Sequence, residues 1–263
     1  MLRKVLSFLV LMILITSGCA QTTPSAGVES PPEDNNHPQE SRDKDYPLSP
    51  SDYLDNFLLK IGEATRETIS YKDVASVTVL VNKQNELPAD YVPPDLVYVD
   101  IPFTFSEKVE KRMMRQEAAG KLEELFAAAK EKNIILYGVS GYRSYQTQKS
   151  LFAYFTQRDG SEEKANQISA RPGESEHQTG LAMDVSSQSV NFGLVENFGD
   201  TEEYAWLKDH AHEYGFIIRY PKGKEHITEY SYEPWHLRYV GIELATKLYE
   251  ENLTYEEYLF FKI

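Results

Sequence analysis

Four residues in two short stretches carry the types and spacing that chemistry needs. His177 and Asp184 lie in Ser175-Glu-His-Gln-Thr-Gly-Leu-Ala-Met-Asp184, and Glu233 and His236 bound Glu233-Pro-Trp-His236. Two imidazoles and one carboxylate form a three-ligand set that leaves a tetrahedral zinc ion one open position for water. A spare carboxylate three residues before the third ligand is what such a water needs as proton acceptor. A histidine and an aspartate at this spacing are common by chance, but both halves together are much rarer. The pattern points to a zinc hydrolase.

Positioning these groups requires particular elements. Residues 181–185 read as a strand, with Ala182 and Asp184 on one face and Leu181, Met183 and Val185 on the other. A lone carboxylate on a buried face needs a partner, and a metal ion supplies one. His177 precedes that strand, between Gly173 and Gly180, where loop geometry can turn it back toward Asp184. Arg143 offers a permanent planar cation to a developing oxyanion, although an arginine on a loop is often no more than a structural salt bridge. Both readings stay open on these residues alone.

Elsewhere, the alternation in Ala75-Ser-Val-Thr-Val-Leu-Val81 predicts a strand. Residues 106–132 carry helical spacing, with Met114, Ala118, Leu122, Leu125 and Phe126 on one stripe. A strand is expected over Ile134–Val139, a helix over Tyr145–Gln157, a short helix over Ser161–Ile168 and a strand over Phe216–Arg219. Asp200 with Glu203 reads as a capping pair for a helix ending near Gly215, and Thr254 with Glu257 as the start of a last helix. Strict strand–helix alternation is missing, so the expected class is α+β with an antiparallel sheet flanked by helices.

At this point a family resemblance is plain. Ser-x-His-x-x-Gly-x-Ala-x-Asp followed by Glu-x-Trp-His resembles the VanY-type D-alanyl-D-alanine carboxypeptidases of the LAS metallopeptidases (peptidase M15B). Leu80–Tyr91 and Ser140-Gly-Tyr-Arg-Ser-Tyr-Gln-Thr-Gln148 fit as well, so the match spans roughly residues 75–245. The resemblance implies the fold of the Hedgehog signalling domain and the DD-peptidases. It implies that His177, Asp184 and His236 hold Zn(2+), that Glu233 is the catalytic base and that Arg143 stabilises the oxyanion. It also implies that Ser175 and Gln148 hold the substrate's terminal residue. Arg171 could add charge for a terminal carboxylate, or simply pair with Glu174 or Glu176. Tyr142 and Tyr145 could line the cleft or pack in the core, and Trp235 is expected to fix the rotamers of its neighbours.

The implied substrate is a peptidoglycan stem peptide losing its C-terminal D-Ala, as a D,D- or an L,D-carboxypeptidase. The same centre could serve a wall endopeptidase. A non-catalytic wall-binding module of this fold would be expected to lack the base or a ligand, and all four residues are present. The other histidines are expected outside the site: His37 and His212 solvated, His210 half-buried, and His226 in a polar loop with reach toward the cleft.

The bulk numbers agree with this reading. With 27 Lys+Arg against 41 Asp+Glu, a formal charge of −14, the chain is a poor candidate for binding nucleic acid. A monomer is expected. Residues 1–18 read as an export signal: Arg3 and Lys4, then an apolar run from Val5 to Ile15, shorter than the roughly 20 residues a bilayer span needs. Leu14-Ile-Thr-Ser-Gly-Cys19-Ala resembles the lipobox of bacterial lipoproteins, though Thr16 is unusual there. The resemblance implies cleavage before Cys19 and its lipidation. Residues 19–50, rich in Pro, Ser, Asp, Glu and Asn, read as a disordered tether, and 51–263 as the zinc carboxypeptidase domain. Cys19 is the only cysteine, so disulfides are excluded and metal ligands must come from His, Asp and Glu. The expected location is the extracytoplasmic face of the cell membrane.

Overall fold

The computed structural model describes residues 71–260. The expected export signal, the expected lipidation site Cys19 and the expected tether all lie outside the described residues.

The architecture is built around one strand. β4 (Ala182–Ser186) is buried along its whole length, which suits a strand covered on both faces. It pairs antiparallel with β3 (Tyr137–Ser140) on one side and β6 (Glu233–Tyr239) on the other, and β5 (Phe216–Tyr220) pairs with β6. The order is β3-β4-β6-β5. One face is apolar: Met183, Val185, Leu237 and Tyr239 join the main core. Helix α1 (Gln116–Glu131) presses Ala118, Leu122, Leu125 and Phe126 into that same cluster. The other face carries Asp184 and His236. Above it, α2 (Tyr145–Asp159) and α3 (Glu162–Ile168) contribute Leu151, Phe155 and Ile168 to the walls of a cleft. This is the α+β arrangement, an antiparallel sheet flanked by helices, that the sequence predicts.

Local chemistry sets the element ends. Ser144 and Ser161 cap α2 and α3 through their hydroxyls. After α4 (Glu202–His210) and α5 (Ile242–Glu251), Thr254 and Glu257 form a reciprocal capping box: Thr254 N donates to Glu257 Oε2 at 2.8 Å and Glu257 N to Thr254 Oγ1 at 3.1 Å. That box opens α6 (Tyr255–Phe260), as expected.

Three expectations need correction. Ala75–Val81 is not a strand. Val79 and Val81 are buried, so the alternation reported burial, but side chains take the carbonyls that a ladder would use. Arg115 donates to Ala75 O at 2.6 Å, Arg238 to Val77 O at 3.1 Å and to Val79 O at 2.6 Å, and the Tyr255 hydroxyl to Thr78 O. The helix expected over 106–132 begins only at Gln116. Met113–Arg115 is instead β2, paired with β1 (Leu96–Tyr98) in a separate two-stranded sheet, so Met114 reaches the core from a strand. The N-cap of α4 is Thr201, which accepts from Tyr204 N at 3.2 Å, and not Asp200.

Candidate metal centre and its cleft

Asp184 and His236 are direct partners in the β4–β6 register, so their side chains rise from the same face of adjacent strands. Asp184 Oδ1 lies 3.0 Å from His236 Nδ1. His177 sits on the 3-10 turn Glu176–Thr179, which Gly180 closes at φ +66°. That turn brings His177 Nε2 within 3.3 Å of Asp184 Oδ2. All three side chains are buried, and a ligand atom from each lies within 4.8 Å of the others. The two imidazole rings meet edge-on at 5.0 Å.

This donor set fits zinc. His177 Nδ1 is 2.8 Å from the Gly141 carbonyl, an acceptor only, so the proton sits on Nδ1 and the Nε2 lone pair faces Asp184. Gly141 is itself held against the Met113 backbone, where only a residue without a side chain fits: a Cβ there would meet the Met113 carbonyl oxygen at 2.5 Å. Two nitrogens and a carboxylate oxygen converge from three directions, which matches the three-protein-ligand pattern of catalytic zinc.

Glu233 begins β6 and stands beside the trio, with Oε2 3.9 Å from His236 Nδ1. Burial pushes its carboxyl up to about 7, with the His236 charge opposing and the Asp184 charge adding. For Asp184 the balance runs the other way. Burial alone would raise it, but the charges and hydrogen bonds of His177 and His236 hold it well below the ordinary carboxylate range. Burial lowers His177. Burial would also lower His236, but hydrogen bonds to Asp184 and Glu176 carry it up to about 9.

Arg143 completes the charged lining. Its Nη2 is 3.9 Å from Asp184 Oδ2 and donates to Ser140 Oγ at 3.1 Å, while Nη1 donates to Gln148 Oε1 at 2.7 Å. The cleft has a volume of about 510 Å³, and Ser175, Tyr220, Tyr230, Tyr232 and Trp235 help to line it.

Two of the residues expected to touch substrate lie off the cleft surface. Gln148 is fully buried and its amide is already used, donating to Ser169 Oγ at 3.2 Å and Ala170 O at 2.6 Å while accepting from Arg143. It holds the guanidinium in place. Arg171 forms its ion pair with Glu162, at 3.0 Å, while its charge also acts on Glu174. Ser175 does line the cleft. Tyr142 is buried, and neither it nor Tyr145 lines the cavity. His210 pairs with Glu213 at 3.2 Å, and His212 is half-buried, stacking on Tyr249 at 3.9 Å. His226 does not reach the cleft lining.

Glu176, not among the residues expected at the centre, is fully buried and contacts His236 Nε2 at 3.2 Å and both Arg219 and Arg238. A signal was available. Phe216-Ile-Ile-Arg219 and His236-Leu-Arg238 each place a cation in an apolar strand, and a buried cation requires a buried anion.

Comparison with known proteins agrees with this geometry. The family profile VanY, D-alanyl-D-alanine carboxypeptidase, matches residues 111–242. YodJ of Bacillus subtilis strain 168, a carboxypeptidase by name, is 54% identical over 183 residues, which cover 70% of this chain and 67% of YodJ. Among solved structures, the LdcB LD-carboxypeptidase, described for its recognition of peptidoglycan, superposes with a TM-score of 0.68 at 53% identity, covering 71% of this chain and 86% of LdcB. A mutant VanY D,D-pentapeptidase from a VanB-type vancomycin-resistance cassette, solved with Zn(II), superposes with a TM-score of 0.55 at 35% identity, covering 70% and 98%.

Proposed function

This chain belongs to the VanY family of D-alanyl-D-alanine carboxypeptidases, and from that premise we propose that it releases the C-terminal D-Ala of peptidoglycan stem peptides. It is a metallocarboxypeptidase with zinc as its cofactor. In the proposed arrangement it works on the extracytoplasmic face of the membrane, attached through a lipid on Cys19.

One observation carries the reading. The trio His177, Asp184 and His236 shares a single cleft with a carboxylate of raised proton affinity and a held guanidinium. His177 Nε2, an Asp184 oxygen and His236 Nδ1 would hold the ion. When bound, zinc acts as a Lewis acid, acidifying water and polarising a carbonyl.

The remaining chemistry falls to this chain's side chains. Glu233 takes the proton of the attacking water and passes it to the leaving amine, and a group titrating near neutrality serves both steps. Arg143 faces the tetrahedral oxyanion, pre-aimed by Gln148 and Ser140. Donors in that role commonly contribute about 3–4 kcal/mol. Ser175, on the cleft wall, hydrogen-bonds the terminal residue of the substrate. The aromatic wall of Tyr220, Tyr230, Tyr232 and Trp235 excludes water around the scissile bond.

The deciding experiment incubates the purified zinc-loaded protein with a stem pentapeptide ending in D-Ala-D-Ala and a tetrapeptide ending in a diamino acid and D-Ala. Release of D-Ala from at least one is expected, and which one releases it assigns D,D- or L,D-specificity. Release from neither, with cleavage of an internal cross-link instead, would replace this reading with an endopeptidase. For location, Cys19→Ser should move the protein from the membrane fraction to the soluble fraction of the producing cell. An unchanged membrane fraction would remove the lipid from the account.

A further inference from the structure

Glu176, Arg219 and Arg238 have no exposed side-chain surface. Glu176 Oε1 accepts from Arg219 Nε at 2.7 Å and from Arg238 Nη1 at 2.8 Å, and Oε2 faces His236 Nε2 at 3.2 Å. The arginines are tied down in turn. Arg219 makes a two-pronged pair with Glu256 of α6, at 2.8 and 2.5 Å. Arg238 donates to the carbonyls of Tyr239 at 2.9 Å, Val77 at 3.1 Å and Val79 at 2.6 Å.

Such a cluster is a poor route to stability, because apolar residues of similar volume usually hold a core as well or better. Its geometry serves another purpose. Two guanidinium donors converge on Oε1, so the carboxyl group of Glu176 serves here as an acceptor, and Oε2 is the acceptor it turns toward His236. His236 must therefore present a proton to Glu176 from Nε2. That leaves Nδ1, on the opposite side of the ring, to face Asp184 at 3.0 Å. His177 gets the same service from the neutral Gly141 carbonyl. For His236 the acceptor is charged, which also makes the imidazole a stronger donor to a metal.

We propose that Glu176 is a positioning residue of the metal centre, fixing the tautomer and orientation of His236, with Arg219, Arg238 and the α6 residue Glu256 holding Glu176 in place. The inference rests on the reading of His236 as a zinc ligand. It extends the centre from its first ligands to the C-terminal helix and to the non-strand segment at 77–79.

The first test needs no variant. Long-range ¹H–¹⁵N correlation spectra of the zinc-loaded full chain should show the His236 ring protonated at Nε2 and metal-bound at Nδ1. A ring protonated at Nδ1 overturns the proposal. The second compares zinc affinity by competition with a chromophoric chelator. Glu176→Gln keeps volume and an acceptor but loses the charge, and its affinity should fall about 10- to 100-fold. Glu176→Ala should fall at least as far and give mixed His236 tautomers in the metal-free protein. A folded Glu176→Gln protein binding zinc within twofold of wild type overturns the proposal. If these variants fail to fold, the wild-type spectrum alone decides. Wild-type protein that binds no zinc would instead sink the proposed function, and this inference with it.

Discussion

Asp184 and His236 face each other across adjacent antiparallel strands, and Ser140 on β3 is the partner of Asp184 on its other side. The centre is thus a product of sheet register. Because side chains alternate between faces, a slip of one residue would send His236 into the apolar core and Leu237 into the cleft. The packing of Met183, Val185 and Leu237 against α1 forbids that slip, so the hydrophobic core fixes the metal geometry. Asp184→Asn keeps the shape of the side chain and removes the charge between the two imidazoles. We expect zinc content after dialysis to drop from near one per chain to near zero, with peptide release at background and far-UV circular dichroism unchanged. Retained zinc in that variant would remove Asp184 from the ligand set.

Metal uptake should depend on pH in a defined direction. Without zinc, His236 holds a second proton up to about 9, stabilised by Asp184 and Glu176. Zinc must displace the Nδ1 proton to bind there. Apparent zinc affinity should therefore rise about tenfold per pH unit between roughly 6 and 9 and then level. Calorimetric titrations in buffers of different ionisation enthalpy would also detect the proton released. An affinity independent of pH over that interval would mean that His236 binds no metal through Nδ1.

Glu233→Gln separates chemistry from metal binding. Zinc content should stay near one per chain while turnover falls by about 10² to 10⁴. The same variant reports the cost of burying the carboxylate. The folded-state value of about 7 exceeds the ordinary 4.5, so the metal-free fold binds a proton that the unfolded chain has released. Ionisation of Glu233 then works against the fold progressively between pH 4.5 and 7, and fully above 7. In the metal-free protein, Glu233→Gln should gain about 3 kcal/mol over wild type at pH 8 relative to pH 4. Urea titrations of both proteins at the two pH values check the sign. A difference independent of pH would show that Glu233 is not held near neutrality.

Much of the centre was legible because its chemistry is local. His177, Asp184, Glu233 and His236 sit in two short runs whose alternation and glycines give the faces directly, and β4, β5 and α2 follow from period and caps. Failures came where distant side chains replaced backbone partners. Val77, Val79 and Val81 alternate like a strand, yet Arg238 and Tyr255 occupy the carbonyls between them. Gln148 reads as a substrate-binding amide, and only the fold reveals Ser169, Ala170 and Arg143 as its hydrogen-bond partners. Glu176 reads as no more than a candidate partner for Arg171 until β5 and β6 bring Arg219 and Arg238 to it. Long-range polar pairing of this kind leaves no period in the sequence.

Arg143 is the last group whose role the geometry makes testable. Its guanidinium is held at both ends of its fork by Gln148 and Ser140, which leaves little freedom to reorient during turnover. Burial lowers its proton affinity, with Asp184 and Glu233 opposing, yet an arginine remains charged throughout the working range. Arg143→Ala should lower kcat by about 10²- to 10³-fold with zinc affinity nearly unchanged. Arg143→Lys should restore little, because one ammonium cannot satisfy Gln148 and Ser140 while also facing the reaction. Gln148→Ala tests the same point from behind: it removes the hold on the guanidinium without touching the cleft surface. A fall in kcat larger than any rise in KM is expected, since a loosened Arg143 would be lost mainly from the transition state. A rise in KM alone would instead return Gln148 to direct contact with the substrate.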